Sequence, residues 1–282
     1  MATRHSEWLD AQYNNRARVP AHSQIFVRWQ DASAAARDLL LRRLDVAYGA
    51  SPGETLDIFP AARSNAPVLV FIHGGWWRSL DKRDHSFIAP PFVDAGAMVV
   101  VPNYALCPAV SIETVALQMT RALAWTHRHA ALYGGDAKRI VVAGHSAGGH
   151  LAAMLLCCDW KAVGRDLPAQ LVRHALAISG VFDLAPISQV SFLKDDLQLT
   201  PPAVRKLSPV RFPRPRGFLH ATAGALESEE FMRQRRLIRT AWGARAVPPC
   251  EPVAGADHFT VLDDLAAPHG ALHGLARRLL GL

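Results

Sequence analysis

Ile140-Val-Val-Ala-Gly-His-Ser-Ala-Gly-Gly-His150 carries an apolar, β-branched run into Gly144-His145-Ser146-Ala147-Gly148. A helix-forming sequence rich in Ala, Leu and Met follows directly. Residues 139–143 read as a buried strand, and Ala147 to Cys157 as a helix with Leu151, Leu155 and Cys158 on one face. A G-x-S-x-G turn between strand and helix holds its serine in a strained conformation at the top of a sheet, and the flanking glycines remove Cβ atoms that would clash there. Ser146 is therefore a candidate covalent catalyst. The backbone N–H of Ala147 would face the oxygen that becomes negative when a carbonyl is attacked.

Such an oxygen needs a second set of donors. Val68-Leu-Val-Phe-Ile-His-Gly-Gly-Trp-Trp77 runs another strand into His73-Gly74-Gly75-Trp76, where the N–H groups of Gly74, Gly75 and Trp76 can converge because side chains do not obstruct the approach. The alternative is a plain Gly-Gly turn after a strand. His73 reads as a structural residue that orients this loop.

A serine hydroxyl is a poor nucleophile at neutral pH and needs a base, most often histidine. Thirteen histidines compete. The base is expected in a loop between the last strand and a final helix. Residues 250–254 read as that strand, Gly255-Ala-Asp-His258 as the loop and Thr260 onward as helix, which selects His258. His269 and His273 read as surface residues. His145 flanks the nucleophile and is not placed to relay its proton. The third member should be a carboxylate in the loop after the preceding strand, to orient the imidazole. Residues 218–224 form that strand, and Glu227 is first in line behind it. Glu229 and Glu230 also fit as first-turn carboxylates of a helix capped by Ser228. Asp257 adjoins His258 but points elsewhere, and Asp183 is the alternative acid.

The chain has 282 residues, half of them apolar, enough for one large α/β domain or two smaller ones. No composition break divides it, and the Pro- and Arg-rich stretch from Pro201 to Gly217 reads as an insertion. Four cysteines show no framework spacing, Cys157 and Cys158 reading as small buried hydrophobes, so no metal site is expected, and the serine chemistry implies no organic cofactor. The N-terminus lacks an apolar signal region and no run is long enough to span a bilayer, which makes cytoplasmic location the default and membrane attachment unexpected. The net charge is +7. The arginines are scattered without interleaved aromatics, which argues against nucleic acid and leaves a bias toward anionic or zwitterionic small molecules.

These residues together resemble the α/β-hydrolase superfamily, and within it the kynurenine formamidase (arylformamidase) and carboxylesterase-like group. The resemblance runs through Tyr13-Asn-Asn-Arg-Ala17, His73-Gly-Gly-Trp-Trp77, Gly144-His-Ser-Ala-Gly-Gly-His-Leu-Ala152, Ile178-Ser-Gly-Val-Phe-Asp-Leu184, Glu227-Ser-Glu-Glu-Phe-Met-Arg-Gln234 and His258-Phe259. Kynurenine formamidases carry Asp-Ser-x-Glu-Phe where this chain has Glu227-Ser-Glu-Glu-Phe231, and the extra methylene is expected to require the acid's loop to sit slightly further back.

The expected architecture is a mostly parallel, eight-stranded sheet with helices on both faces, strands falling near 45–48, 55–59, 68–73, 97–102, 139–143, 174–180, 217–224 and 250–254. Helices are expected at about 84–95, 113–133, 147–158, 229–242 and 260–281. The first two strands are expected to form an antiparallel edge pair. Residues 1–44 and 183–215 are left as a small cap over the carboxyl ends of the strands. The expected activity is hydrolysis of a small aryl formamide or ester through an acyl-enzyme, with Trp76, Trp77, Tyr104 and Phe192 as candidate walls for the aromatic substrate. A general carboxylesterase, a carbamate or small-amide hydrolase, and a non-catalytic binding protein on the same scaffold are the alternatives. A homodimer is the oligomer considered.

Overall fold

In the computed structural model, residues 2–282 are described, with side chains from residue 6 onward. A seven-stranded sheet in the order β1-β2-β4-β3-β5-β6-β7 organises the chain. Its strands are β1 (Arg43–Ala47), β2 (Thr55–Phe59), β3 (Ala66–Ile72), β4 (Met98–Pro102), β5 (Gly135–His145), β6 (His174–Ile178) and β7 (Phe218–Thr222). As expected from the sequence, β1 and β2 form an antiparallel pair. β2 also runs antiparallel to β4, and every later pairing is parallel.

The apolar runs of β3 and β4 are buried along their whole length, as a parallel strand covered on both faces requires. Alternate residues point to opposite faces. Val68, Val70 and Ile72 join one core cluster with Val100 and Val142, while Leu69 and Phe71 join a second with Val99, Val101 and Val141. The helices are α1 (Ala2–Tyr13), α2 (Asn15–Arg18), α3 (His22–Leu39), α4 (Ala89–Asp94), α5 (Ile112–His129), α6 (Ala147–Leu156), α7 (Trp160–Val163), α8 (Lys194–Leu197), α9 (Pro201–Leu207), α10 (Glu229–Trp242), α11 (Val261–Ala266) and α12 (Ala271–Leu280). α5, α6 and α10 cover the first face, and α3, α4, α11 and α12 the second.

The expected eighth strand is reduced to a single parallel bridge between Gly224 and Val253. Pro248, Pro249 and Pro252 supply the reason, since each lacks the N–H that a ladder needs. The expected terminal helix is likewise broken into α11 and α12, because Pro268 and Gly270 fall between them and the Asp264 carboxylate caps the second piece through the N–H groups of Ala271 and Leu272. Strand β6 stops at Ile178, where Ser179 turns to φ 54°. Among the described residues no helix is long and apolar enough to cross a membrane.

Register places the site. Ile72 pairs with Gly144, His145 with Ile178, and Ile178 with Thr222. The loops after β3, β5, β6 and β7 therefore leave the sheet at one level. Over that level lie two segments joined to each other: Asp10 of α1 accepts from Ser191 N at 2.7 Å.

Candidate active site

Ser146 occupies the turn between β5 and α6 at φ 55°, ψ −116°, a conformation that is strained for any residue with a side chain. Packing explains why glycines flank it. A Cβ on Gly144 would lie 2.1 Å from the carbonyl oxygen of Gly148, and one on Gly148 would lie 2.0 Å from that of Ile72. The N–H of Ser146 donates to the Ile178 carbonyl at 2.8 Å, which ties the turn to β6.

The loop after β3 turns sharply. Gly75, Trp76 and Trp77 all have positive φ, and the N–H groups of Arg78 and Ser79 both donate to the Gly75 carbonyl at 3.0 Å. A Cβ on Gly74 would stand 3.0 Å from that of Ser146, so this loop packs directly on the serine. His73 orients it, as the sequence suggests: its Nδ1 meets the Gly74 carbonyl at 2.9 Å and its Nε2 the side-chain oxygen of Asn103 at 3.0 Å.

Two of the four candidate substrate walls are not walls. Tyr104 is buried, stacks on the His73 ring at 4.3 Å and donates its hydroxyl to the carbonyls of His73 and Gly74 at 3.0 and 3.1 Å, so it supports the loop from behind. Trp77 is fully buried and packs edge-on against His150. Adjacent left-handed residues send Trp76 toward the cavity and Trp77 into the core. Trp76 and Phe192 do line the cavity.

His258 Nδ1 lies 2.7 Å from Glu227 Oε2. The other carboxylate oxygen accepts from Ser179 Oγ at 2.5 Å and from the Gly224 N–H at 2.7 Å, so a buried carboxylate has every partner it needs. An Nδ1–H donated to Glu227 leaves Nε2 as the accepting nitrogen, the tautomer a general base requires. Asp183 is engaged elsewhere, with its own side chain accepting from Ala185 N at 3.1 Å and standing 4.0 Å from Arg233 Nη1. Asp257 accepts from the N–H groups of Phe259 and Thr260 at 2.8 and 2.9 Å, shaping the loop that carries His258. Glu230 is more than a first-turn carboxylate: it accepts from the Tyr13 hydroxyl at 2.6 Å and from Arg233. Burial, with that carboxylate beside it, pushes the Tyr13 phenol upward. His269 is exposed as expected. His273 is not; it is buried against Phe92, with ring centroids 4.6 Å apart.

Ser146 and His258 open together into a cavity of about 260 Å³. Phe26, Trp29, Trp76, Phe192 and Phe259 form its apolar wall, with Asn15, Arg16, Gly75, Arg78 and His145 among its polar lining. Gly74 immediately precedes the lining residue Gly75, and Ala147 immediately follows the lining residue Ser146. The lining contains no carboxylate, so the electrostatic environment favours negative charge developing there.

The BD-FAE family model matches residues 56–205, more than half of the chain. The chain belongs to the BD-FAE family. Kynurenine formamidase from Danio rerio is 29% identical over 255 residues, 87% of this chain and 84% of that protein, a longer match than the BD-FAE stretch. A carboxylesterase from Mycobacterium tuberculosis is 39% identical over 114 residues, 40% of this chain and 36% of that protein. Among solved structures, a protein of Silicibacter sp. described as a candidate thioesterase is 29% identical and superposes with a TM-score of 0.82, covering 94% of this chain and 97% of that one. An esterase from Pyrobaculum calidifontis gives 0.71 at 17% identity, covering 92% of each chain. The fold of this BD-FAE member is the α/β-hydrolase fold.

Several residues around the BD-FAE serine escape sequence reasoning. Ser179 is one, legible only once β6 is known to end beside Glu227. Phe26 and Trp29 are others, carried in by α3, whose buried stripe is Ile25, Trp29, Ser33 and Ala36 and which lies in the segment that the sequence marks only as cap. Among the described residues no three His, Cys, Asp or Glu side chains gather as a metal-binding group.

Proposed function

We propose that this chain is a serine hydrolase that cleaves a small aryl formamide, or an aryl ester, through an acyl-enzyme. Ser146 Oγ attacks the carbonyl carbon while His258 Nε2 takes its proton, and Glu227 stabilises the imidazolium that forms. The N–H groups of Gly74, Gly75, Trp76 and Ala147 are the donors assigned to the tetrahedral oxygen, each contributing about 2.7–4 kcal/mol where such a donor has been removed. His258 then passes its proton to the departing aryl amine or phenolate as the carbon–nitrogen or carbon–oxygen bond breaks. Water, deprotonated by the same imidazole, attacks the acyl carbon and restores Ser146.

The observation that carries this reading is the 2.7 Å contact of His258 with Glu227 behind a cavity that His258 shares with Ser146. Similarity to kynurenine formamidases along 87% of the chain favours the formamide. Similarity to the carboxylesterase over 114 residues favours the ester as the second reading. Purified protein, wild type and Ser146→Ala, assayed side by side on N-formyl aromatic amines and short-chain aryl esters, separates them: formamide turnover that disappears in the variant supports the first reading, and ester turnover alone supports the second. A cytoplasmic location and a homodimer belong to the same proposal, and are read by cell fractionation and by sedimentation.

A further inference from the structure

Arg78 ties the loop after β3 to a segment that lies over the cavity. Gly75, Trp76, Trp77 and Leu80 in that loop all have positive φ, a backbone that persists only where its surroundings over-determine it. The loop is held from behind, where the Tyr104 hydroxyl donates to the His73 and Gly74 carbonyls and the Cys107 N–H donates to the Trp77 carbonyl at 2.8 Å. On the cavity side, Arg78 Nη1 donates to the Phe192 carbonyl at 2.9 Å and to the Asp196 carboxylate. These partners stand 114 and 118 residues further along the chain. The guanidinium also lies over the Phe192 ring, 5.8 Å from its centroid.

The far side of this contact is anchored too. The chain is helical from Ser191 to Leu197, so residues four apart share a face. Leu193 and Leu197 enter the core, while Phe192 and Asp196 meet Arg78. Ser191 donates to Asp10 of α1 through its N–H at 2.7 Å and through its hydroxyl. The Arg78 and Asp196 side chains are 29% and 32% exposed, and the Phe192 that they hold is a wall of the cavity.

We propose that Arg78 is a positioning residue, a clasp that fixes the loop of oxyanion donors and the Phe192 wall as one unit. This rests on the hydrolase reading above and adds to it a residue that acts through the loop. Donors aimed at the tetrahedral oxygen matter most as that oxygen gains charge. Opening the clasp should therefore lower kcat and leave KM nearly alone.

The test measures phenyl acetate and N-formylaniline turnover in Arg78→Met, which keeps the stem and loses the charge and donors, in Arg78→Lys and in Asp196→Asn. In Arg78→Met kcat should fall about tenfold with KM changed less than about twofold, Asp196→Asn should fall about threefold, and Arg78→Lys should recover part of the loss. Phenylboronic acid, which forms a tetrahedral adduct on a nucleophilic serine, should bind Arg78→Met more weakly by the factor that kcat/KM loses. Arg78→Met combined with Asp196→Asn should lose no more than Arg78→Met alone, because both substitutions open one contact. Additive losses, a loss confined to KM, or a lowered Tm with unchanged kcat overturns the inference and leaves the hydrolase reading standing. Failure of wild type to turn over any compound counts against the hydrolase reading instead. In that case, or if Arg78→Met does not fold, hydrogen exchange in Asp196→Asn decides: amides of residues 74–80 exchanging about fivefold or more faster than in wild type support the clasp, and unchanged exchange overturns it.

Discussion

His145 Nε2 lies 2.7 Å from the backbone carbonyl oxygen of His258, so the residue preceding the nucleophile holds the loop that carries the base. A carbonyl only accepts, which places the hydrogen on Nε2 and leaves Nδ1 bare and buried without a partner. Burial, reinforced by the neighbouring His258 ring, pushes the His145 pKa well down, keeping the ring neutral.

Replacing His145 with alanine should therefore lower kcat about tenfold with KM changed less than about twofold, because the imidazole of His258 loses its support while the cavity keeps its walls. His145→Gln, which restores a donor, should recover part of the loss. Steady-state kinetics alongside thermal melts decides this: a variant with lowered Tm and unchanged kcat would show that the contact only stabilises.

Glu227→Gln keeps the shape of the acid and removes its charge. With the amide in place of the carboxylate, kcat should fall about 10³–10⁴-fold while the fold persists, as expected when the third member of such a triad loses its charge. Glu227→Asp should fall less, since it keeps the charge and withdraws it by one methylene. Loss of less than about tenfold in Glu227→Gln would remove Glu227 from the machinery.

A single methyl group at Gly148 should unfold the elbow. Its Cβ would meet the Ile72 carbonyl oxygen at 2.0 Å, where the first turn of α6 packs directly on the backbone at the end of β3. Urea unfolding of Gly148→Ala should report a loss of at least about 3 kcal/mol. Gly274→Ala, in α12 where the nearest atom is a flexible arginine tip at 3.5 Å, should be tolerated.

Residues whose role is set by their own neighbours in sequence were legible, and those set by packing between distant elements were not. The elbow declares itself because strand, glycines, serine and helix are contiguous. His258 and Glu227 follow from the order of strands and loops. Tyr104 and Trp77 misled, because an aromatic in a loop after a strand looks the same in sequence whether it faces the cavity or packs behind it; the positive φ at Trp76 and Trp77 decides it for Trp77, and the hydroxyl bonds to the His73 and Gly74 carbonyls decide it for Tyr104. The eighth strand failed at Pro252, whose missing N–H outweighs the apolar pattern around it. Asn15 and Arg16 were visible only as part of a resemblance, since their place at the cavity depends on Tyr13 reaching Glu230 across the fold.

Acid should destabilise this protein through its buried histidines. Burial pushes His85 down to about 3 and His150 down to about 4, against 6.5 for the free side chain. Between those values the unfolded chain binds more protons than the folded one, so stability is complete above about pH 6.5 and falls as pH drops toward 4. Each ring removes up to about 1.4 kcal/mol per pH unit in that window. Urea midpoints at about pH 7.5 and about pH 5 should differ accordingly, and His150→Asn should flatten the dependence. A midpoint that does not move between those pH values would refute it.

Covalent labelling of Ser146 bears most directly on the proposed chemistry. Folded protein treated with a fluorophosphonate should gain one adduct, mapped by peptide mass spectrometry to the segment containing Ser146, with hydrolysis lost in proportion; Ser146→Ala should gain none and be inactive. An adduct on another residue, or full hydrolytic activity in Ser146→Ala, would contradict the assignment of Ser146 as the nucleophile.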